Sequence, residues 1–211
     1  MARLTSVNVG QPELVPPHRP RTGIVKRAAV GPVRIGTDGV AGDAVIDRKY
    51  HGGPDQAVYL YLQSDYDWWE RELGRALEPG LFGENLTIEG VDGAGLAVGD
   101  RLTIGPVEIE VTAHRSPCGT FAARMGDPDW VKRFFRGGRP GAYARVLREG
   151  EVRPGDAVGY RPFDGPRILV SDLLALETTR KPEADRLRAI LDAPIAARLR
   201  ADVERKLAKA G

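Results

Sequence analysis

The sequence predicts a mainly β fold, a barrel or sandwich with a few inserted helices, followed by a small helical unit. Three observations lead there: the distribution of glycine, a series of short alternating runs, and a four-residue repeat near the C-terminus. Of the 26 glycines, 25 lie in residues 1–165 and none lies between Pro166 and Ala210. Glycine supplies the positive φ of turns and bulges but weakens helix interiors, so the first region reads as many short strands and the second as helices. The boundary falls at Phe163-Asp164-Gly165-Pro166, which divides the chain into 1–163 and 164–211.

In chain order, strands are expected at Ser6–Val9, Val33–Ile35, Ala57–Leu62, Arg101–Ile104, Val107–Thr112 and Tyr143–Leu147, each a β-branched or alternating run between turn residues. Val107–Thr112 is the clearest. Its Val107, Ile109 and Val111 share one face while Glu108, Glu110 and Thr112 share the other, and Gly105-Pro106 suggests a hairpin with the run before it. Two helices have start signals: Ser64-Asp65 opens an aromatic-rich segment through Leu73, and Asp127-Pro128-Asp129 opens Trp130–Phe135. In the tail, Ile195, Leu199, Val203 and Leu207 recur every fourth residue. Leu173, Leu174 and Leu176, then Leu187, Ile190 and Leu191, mark two earlier helices set apart by Pro182 and Pro194.

Composition narrows the function classes. The 211 residues are 42% hydrophobic and 28% charged, ordinary for a folded chain, and the net charge of +2 is not the basic footprint of a nucleic-acid binder. With no signal-like or membrane-length apolar run, the expectation is a soluble cytoplasmic protein without membrane or nucleic-acid partners. A single cysteine, Cys118, rules out an internal disulfide, a CxxC pair and a four-cysteine iron–sulfur cluster.

Three polar clusters stand at strand ends: His51-Gly52-Gly53-Pro54-Asp55, Gly83-Glu84-Asn85, and His114-Arg115-Ser116-Pro117-Cys118. Paired glycines let backbone N–H groups approach an anion, but taken alone they read first as a plain turn with His51 hydrogen-bonded to the backbone. Arg115 favours the thiolate of Cys118, which is both a nucleophile and a soft-metal ligand; a buried, inert cysteine is the competing reading. A cysteine hydrolase would take His51 or His114 as base and Asn85 or Asp55 as orienter, while zinc lacks tight ligand spacing apart from His114 and Cys118. Lys132, Arg133, Arg136 and Arg139 read as a solvated helix face, and Trp68 and Trp69 as core.

Taken together and in this order, the clusters resemble the MOSC domain family, named for the C-terminal part of molybdenum cofactor sulfurases, and in particular its stand-alone, YiiM-like bacterial branch. The resemblance is carried by Gly42-Asp43, His51-Gly52-Gly53-Pro54-Asp55-Gln56-Ala57-Val58, Phe82-Gly83-Glu84-Asn85-Leu86, Val98-Gly99-Asp100-Arg101 and Arg115-Ser116-Pro117-Cys118, over about residues 3–160. The glycine-free tail resembles the three-helix unit of that branch. Tyr50 and Gly119 depart from the pattern beside two of the motifs.

The resemblance implies a MOSC-type barrel like that of the pyruvate-kinase barrel domain, binding a molybdopterin-type molybdenum cofactor in a cleft. Cys118 would be the molybdenum ligand and the catalytic centre, with His51, Gly52, Gly53, Asp55, Gly83, Glu84, Asn85 and Arg115 around the cofactor. It further implies an oxidoreductase that reduces N-hydroxylated compounds such as hydroxylamino-purines and amidoximes. The electron donor would be external, a flavin or iron–sulfur reductase. The alternatives are a sulfur carrier with a Cys118 persulfide and a non-catalytic cofactor-binding module.

Overall fold

The computed structural model describes residues 1–48 and 51–210. In chain order its strands are β1 (Arg3–Gly10), β2 (Glu13–Val15), β3 (His18–Thr22), β4 (Lys26–Ala28), β5 (Val33–Gly36), β6 (Gly39–Val40), β7 (Val58–Leu62), β8 (Leu86–Glu89), β9 (Arg101–Ile104), β10 (Val107–His114), β11 (Ala142–Arg148), β12 (Gly150–Val152) and β13 (Val158–Arg161). Its helices are α1 (Gln63–Leu73), α2 (Gly119–Met125), α3 (Trp130–Gly137), α4 (Val170–Thr178), α5 (Ala184–Leu191) and α6 (Ala197–Ala210). Every run expected to be extended is a strand, and both inserted helices and all three tail helices form.

Eight strands make one mixed sheet in the order β13-β9-β10-β11-β7-β8-β1-β4. All its pairs are antiparallel except β7 and β8, which run parallel, so the chain between them must cross over; α1 provides that crossover. The sheet curls until β13 meets the start of β1. Leu4 N–H donates to Asp156 O at 2.9 Å and Val158 N–H to Ala2 O at 3.0 Å, so the start of β1 pairs with the approach to β13. A bulge between Leu4 and Ser6 supplies the bend that frees the second half of β1 to pair with β4.

The interior of this barrel is aliphatic: Leu4, Ile35, Leu60, Ile88, Leu102, Ile109 and Val111 are all fully buried there. Outside it, α1, α2 and α3 press an aromatic cluster against β7, with Tyr61, Tyr66, Trp69, Phe82, Phe121, Trp130 and Phe134 at its heart. The tail helices have their own apolar core, but Val98 of the barrel belongs to it, and in return Val170 enters the barrel interior and Leu174 the aromatic cluster. Asp100 ties the link down: fully buried, it accepts hydrogen bonds from Tyr160 Oη at 2.6 Å and Phe163 N at 2.9 Å and pairs with Arg167. Among the described residues no helix is long and apolar enough to cross a membrane.

The structure adds elements that no sequence signal announced. Helix α2 begins directly after Cys118, starts with glycine and has no side-chain cap, so it is stabilised by Phe121 and Ala122 packing into the aromatic cluster rather than by its own ends. The pair β2–β3, interrupted by Pro16, Pro17 and Pro20, likewise lacks the alternation of a buried strand.

Candidate functional site

The inward alternation of β10 ends at His114, and the next four residues leave the sheet to reach Cys118, where α2 begins. Arg115 turns back into the protein. It is 4% exposed, and its guanidinium carbon lies 4.6 Å from the ring centre of Phe121, 5.6 Å from Tyr59 and 5.9 Å from Phe134. These rings provide cation–π attraction. No carboxylate pairs with it among the described residues, and its buried Nη1 has no hydrogen-bond partner. A buried cation without a carboxylate partner is held at a cost of several kcal/mol, which the three ring faces offset in part.

Beside it lies a cavity of about 650 Å³, whose walls include Arg115, Cys118, Tyr59, Tyr143, Lys26 and Asn85. Lys26 is a second buried cation, with a side chain 9% exposed, ion-paired to Asp43. Burial lowers the Lys26 pKa while Asp43 opposes that shift. Asp43 also accepts from Gly10 N at 2.7 Å and from Asn85 Nδ2 at 2.9 Å. Asn85 is a brace: its backbone N–H donates to Tyr59 O at 2.7 Å, and its Oδ1 accepts from Tyr59 N at 3.2 Å. The side chain thereby joins β7 to β8 at the cavity floor.

Gly52 and Gly53 line the cavity with φ of 75° and 86°, a conformation that places backbone polar groups where a side chain would be strained. His51 lines it too, its Nδ1 3.4 Å from Tyr143 Oη. Burial, reinforced by the charge of Arg115, pushes the His51 pKa down, and burial pushes that of Tyr143 up. The imidazole is therefore neutral and the phenol protonated near neutral pH.

His51, Gly52, Gly53, Gly83, Asn85, Arg115 and Cys118, singled out in the sequence, meet at this cavity; Glu84 and Asp55 do not line it. Glu84 is fully buried beneath it, where Oε1 accepts from Tyr66 Oη at 2.7 Å, Gly80 N at 2.6 Å and Thr87 Oγ1 at 2.9 Å. Its role is to knit the 80–87 segment together. Asp55 turns the other way, pairing with Arg145 at 3.0 Å and accepting from Ala197 N at 2.7 Å at the start of α6. With Asn85 and Asp55 so engaged, neither orients a histidine toward Cys118. His114 instead contacts Glu177 of α4, Nε2 to Oε1, at 2.6 Å.

Sequence reasoning missed Lys26, Tyr143 and Glu177 as site residues. Lys26 sits on a three-residue strand with no motif around it, and Glu177 lies in the tail; only the folded chain brings them near Cys118. Asp43 stood within a motif, and that was a usable signal.

Fold and site together define a closed mixed barrel with one thiol at a cation-lined cleft. The chain belongs to the MOSC domain family, whose model matches residues 47–159 and so spans all three polar clusters. It is 36% identical over 152 residues to the uncharacterized protein YflK of Bacillus subtilis, covering 71% of this chain and 69% of that one. A Gibberella moniliformis protein named "Reductase" is 33% identical over 182 residues, covering 78% of this chain; the match spans 32% of that longer protein. The crystal structure of YiiM from Geobacillus stearothermophilus superposes with a TM-score of 0.81 at 25% identity, covering 98% of this chain and 100% of that one.

Proposed function

We propose that the chain binds a molybdopterin-type cofactor in the 650 Å³ cavity, with Cys118 as the protein's ligand to molybdenum, and reduces N-hydroxylated compounds such as amidoximes and hydroxylamino-purines. The observation that carries the reading is Arg115, a buried guanidinium with an unpartnered nitrogen in the wall shared with Cys118. The donor set fits the group. A cofactor phosphate suits Arg115, Lys26 and the Gly52-Gly53 backbone, and a soft metal suits the half-buried thiol. Among the described residues no three His, Cys, Asp or Glu side chains converge on a metal position, and Cys118 is the side chain that would hold the metal.

When bound, the cofactor supplies two-electron redox chemistry at molybdenum. The chain's own work is binding, orientation and proton handling. Arg115 and Lys26 neutralise the anionic end, and the Asp43–Asn85 brace keeps Lys26 in place. The Tyr143 hydroxyl holds a proton within reach of His51 Nδ1, next to the thiol, where the departing N–O oxygen must be protonated. Removing oxygen from an N-hydroxylated compound consumes two electrons and two protons. A single cysteine cannot supply the four thiolates of an iron–sulfur cluster, so in this reading the electrons reach the site from a flavin or iron–sulfur reductase outside these 211 residues. The name carried by the Gibberella relative supports the reductase reading.

The test is purification from a host that makes the cofactor, with molybdenum measured by mass spectrometry and pterin by fluorescence, for wild type, Cys118→Ser and Arg115→Met. Near-stoichiometric molybdenum and pterin in the wild type, lost in both variants, is the expected result. Full molybdenum occupancy in Cys118→Ser refutes the ligand role. A cyanide-releasable sulfur on Cys118 without pterin makes the protein a sulfur carrier instead, and cofactor without turnover of any N-hydroxylated compound makes it a binding module.

A further inference from the structure

Arg115 to Cys118, the stretch that carries the chain from β10 to α2, belongs to no strand or helix, so side chains set its path. On the barrel side Arg115 is buried among rings. On the other side a second cavity, of about 530 Å³, opens between the barrel and the tail, and Cys118 lines it as well as the first. Glu177 of α4 lines the second cavity and not the first. There it meets the thiol-bearing stretch: His114 Nε2 lies 2.6 Å from Glu177 Oε1, and Ser116 Oγ donates to the same oxygen. The stretch therefore has two anchors, one from the barrel and one from the tail.

Glu177 is badly placed for its own helix. It lies in the last turn of α4, where the helix dipole disfavours a carboxylate. Burial also opposes its ionisation, but the bonds from His114 and Ser116 hold the carboxyl below its ordinary pKa. Because an ionised carboxylate only accepts, the imidazole must donate, which puts a proton on Nε2. The arm that presents this carboxylate is firm. Leu173 and Leu174 of α4 are buried, Val170 N–H donates to Leu96 O at 3.0 Å, and Val98 N–H donates to Ile168 O at 2.9 Å just before the helix.

We propose that Glu177 is a positioning residue for the thiol: by holding His114 and Ser116 it fixes the turn that presents Cys118 to both cavities, so the tail completes the site without lining the cationic cavity. The proposal rests on the proposed function for the thiol's task, while the hold itself stands on the hydrogen bonds. One oxygen accepts from the residues on either side of Arg115 in the chain. Removing it frees the turn from the tail at both points at once, while the rings keep Arg115 in place.

The experiment uses cofactor-free protein from a host that cannot make the cofactor. Because Cys118 is the single cysteine, iodoacetamide labelling read by intact mass reports on it alone, and amide hydrogen exchange follows the peptide around it. Glu177→Ala should label and exchange about tenfold faster, the size of effect expected when hydrogen bonds to a charged group are lost from a locally opening segment. Ser116→Ala, an exposed position that carries one of the two bonds, should be accelerated by about threefold. Glu177→Gln should return close to the wild-type rate, since its amide oxygen still accepts from both partners. Leu187→Ala, in the tail core, should lower the melting temperature yet label at the wild-type rate. A wild-type rate in Glu177→Ala, no slowing in Glu177→Gln relative to Glu177→Ala, or equal acceleration in Leu187→Ala overturns the proposal. Molybdenum content of protein from a cofactor-making host separates the two readings. Molybdenum-free wild type with the expected labelling rates leaves the hold standing and the cofactor reading not, and molybdenum-loaded wild type with unaccelerated Glu177→Ala does the reverse.

Discussion

The barrel interior and the aromatic cluster outside it are both dry, yet they are built differently and do different work. The interior is filled by branched aliphatic side chains on alternating strand positions, with no polar atom to satisfy. The aromatic cluster is filled by rings from α1, α2, α3, β7 and the segment before β8: Phe82 of that segment stacks on Tyr61 at 4.3 Å and meets Tyr66 edge-on at 5.2 Å, and Trp69 lies 5.1 Å from Trp130. Its polar handles are tied off, as Trp69 Nε1 donates to Tyr61 Oη at 2.8 Å and Tyr59 Oη to Pro140 O at 2.8 Å. Because rings present negative faces, this second core can hold a buried guanidinium as the first cannot. Stability and an unpaired buried charge therefore coexist on the face of the barrel that ends at Cys118.

This contrast can be broken or sharpened by measurement. Phe82→Ala should cost roughly 3–5 kcal/mol, since the ring touches Tyr61, Tyr66, Trp69 and Phe121 and leaves a cavity that rigid neighbours cannot fill. Chemical denaturation showing a loss below 1 kcal/mol would mean that the aromatic cluster is dispensable.

The next effect concerns Asp65, which pairs with Arg139 at 2.5 Å at the edge of that cluster and whose pKa burial raises to about 6. Between the ordinary carboxylate value of 3.8 and about 6, the folded protein holds a proton that the unfolded chain has released. Stability from this group is therefore greatest at low pH and falls as pH rises through that window, by roughly 2–3 kcal/mol, then stays level. Asp65→Asn should remove that slope from urea midpoints taken between pH 4 and 7, and an unchanged slope would assign it elsewhere.

Arg115→Met keeps the volume and the ring contacts but removes a charge that the ligand-free protein leaves unpaired. Ligand-free protein should melt at the same or a higher temperature, with a gain of about 1–2 kcal/mol, even as anion binding is lost. A clear fall in melting temperature would show that the guanidinium is structural. Ile109→Val in the aliphatic interior should cost about 1 kcal/mol with no effect on ligand binding, which makes it the control for the other core. Smallest of all is Cys118→Ser: at a partly exposed loop position it should change stability by less than about 0.5 kcal/mol.

Much of this was legible in the chain. The alternation of Val107, Ile109 and Val111 located the central strand, and Pro182 and Pro194 separated the tail helices, because period and backbone restriction act locally. The site was legible as three clusters, and seven of the residues singled out there do line the cavity. Glu84 and Asp55 read as equally polar and equally placed in loops, but their partners, Tyr66 and Thr87 for one and Arg145 and Ala197 for the other, are chosen by packing.

The sequence by itself determined the longer strands, the two inserted helices α1 and α3, the three tail helices, the single thiol and the stretch that carries it, because these depend on residue type and short-range spacing. Tertiary structure alone decided that Arg115 would be buried among rings without a carboxylate, that Lys26 would face it, and that Glu177 would close a second cavity beside Cys118. Those arrangements join residues far apart in the chain, and their energies come from burial and from long-range charge and hydrogen-bond partners, which no local pattern encodes.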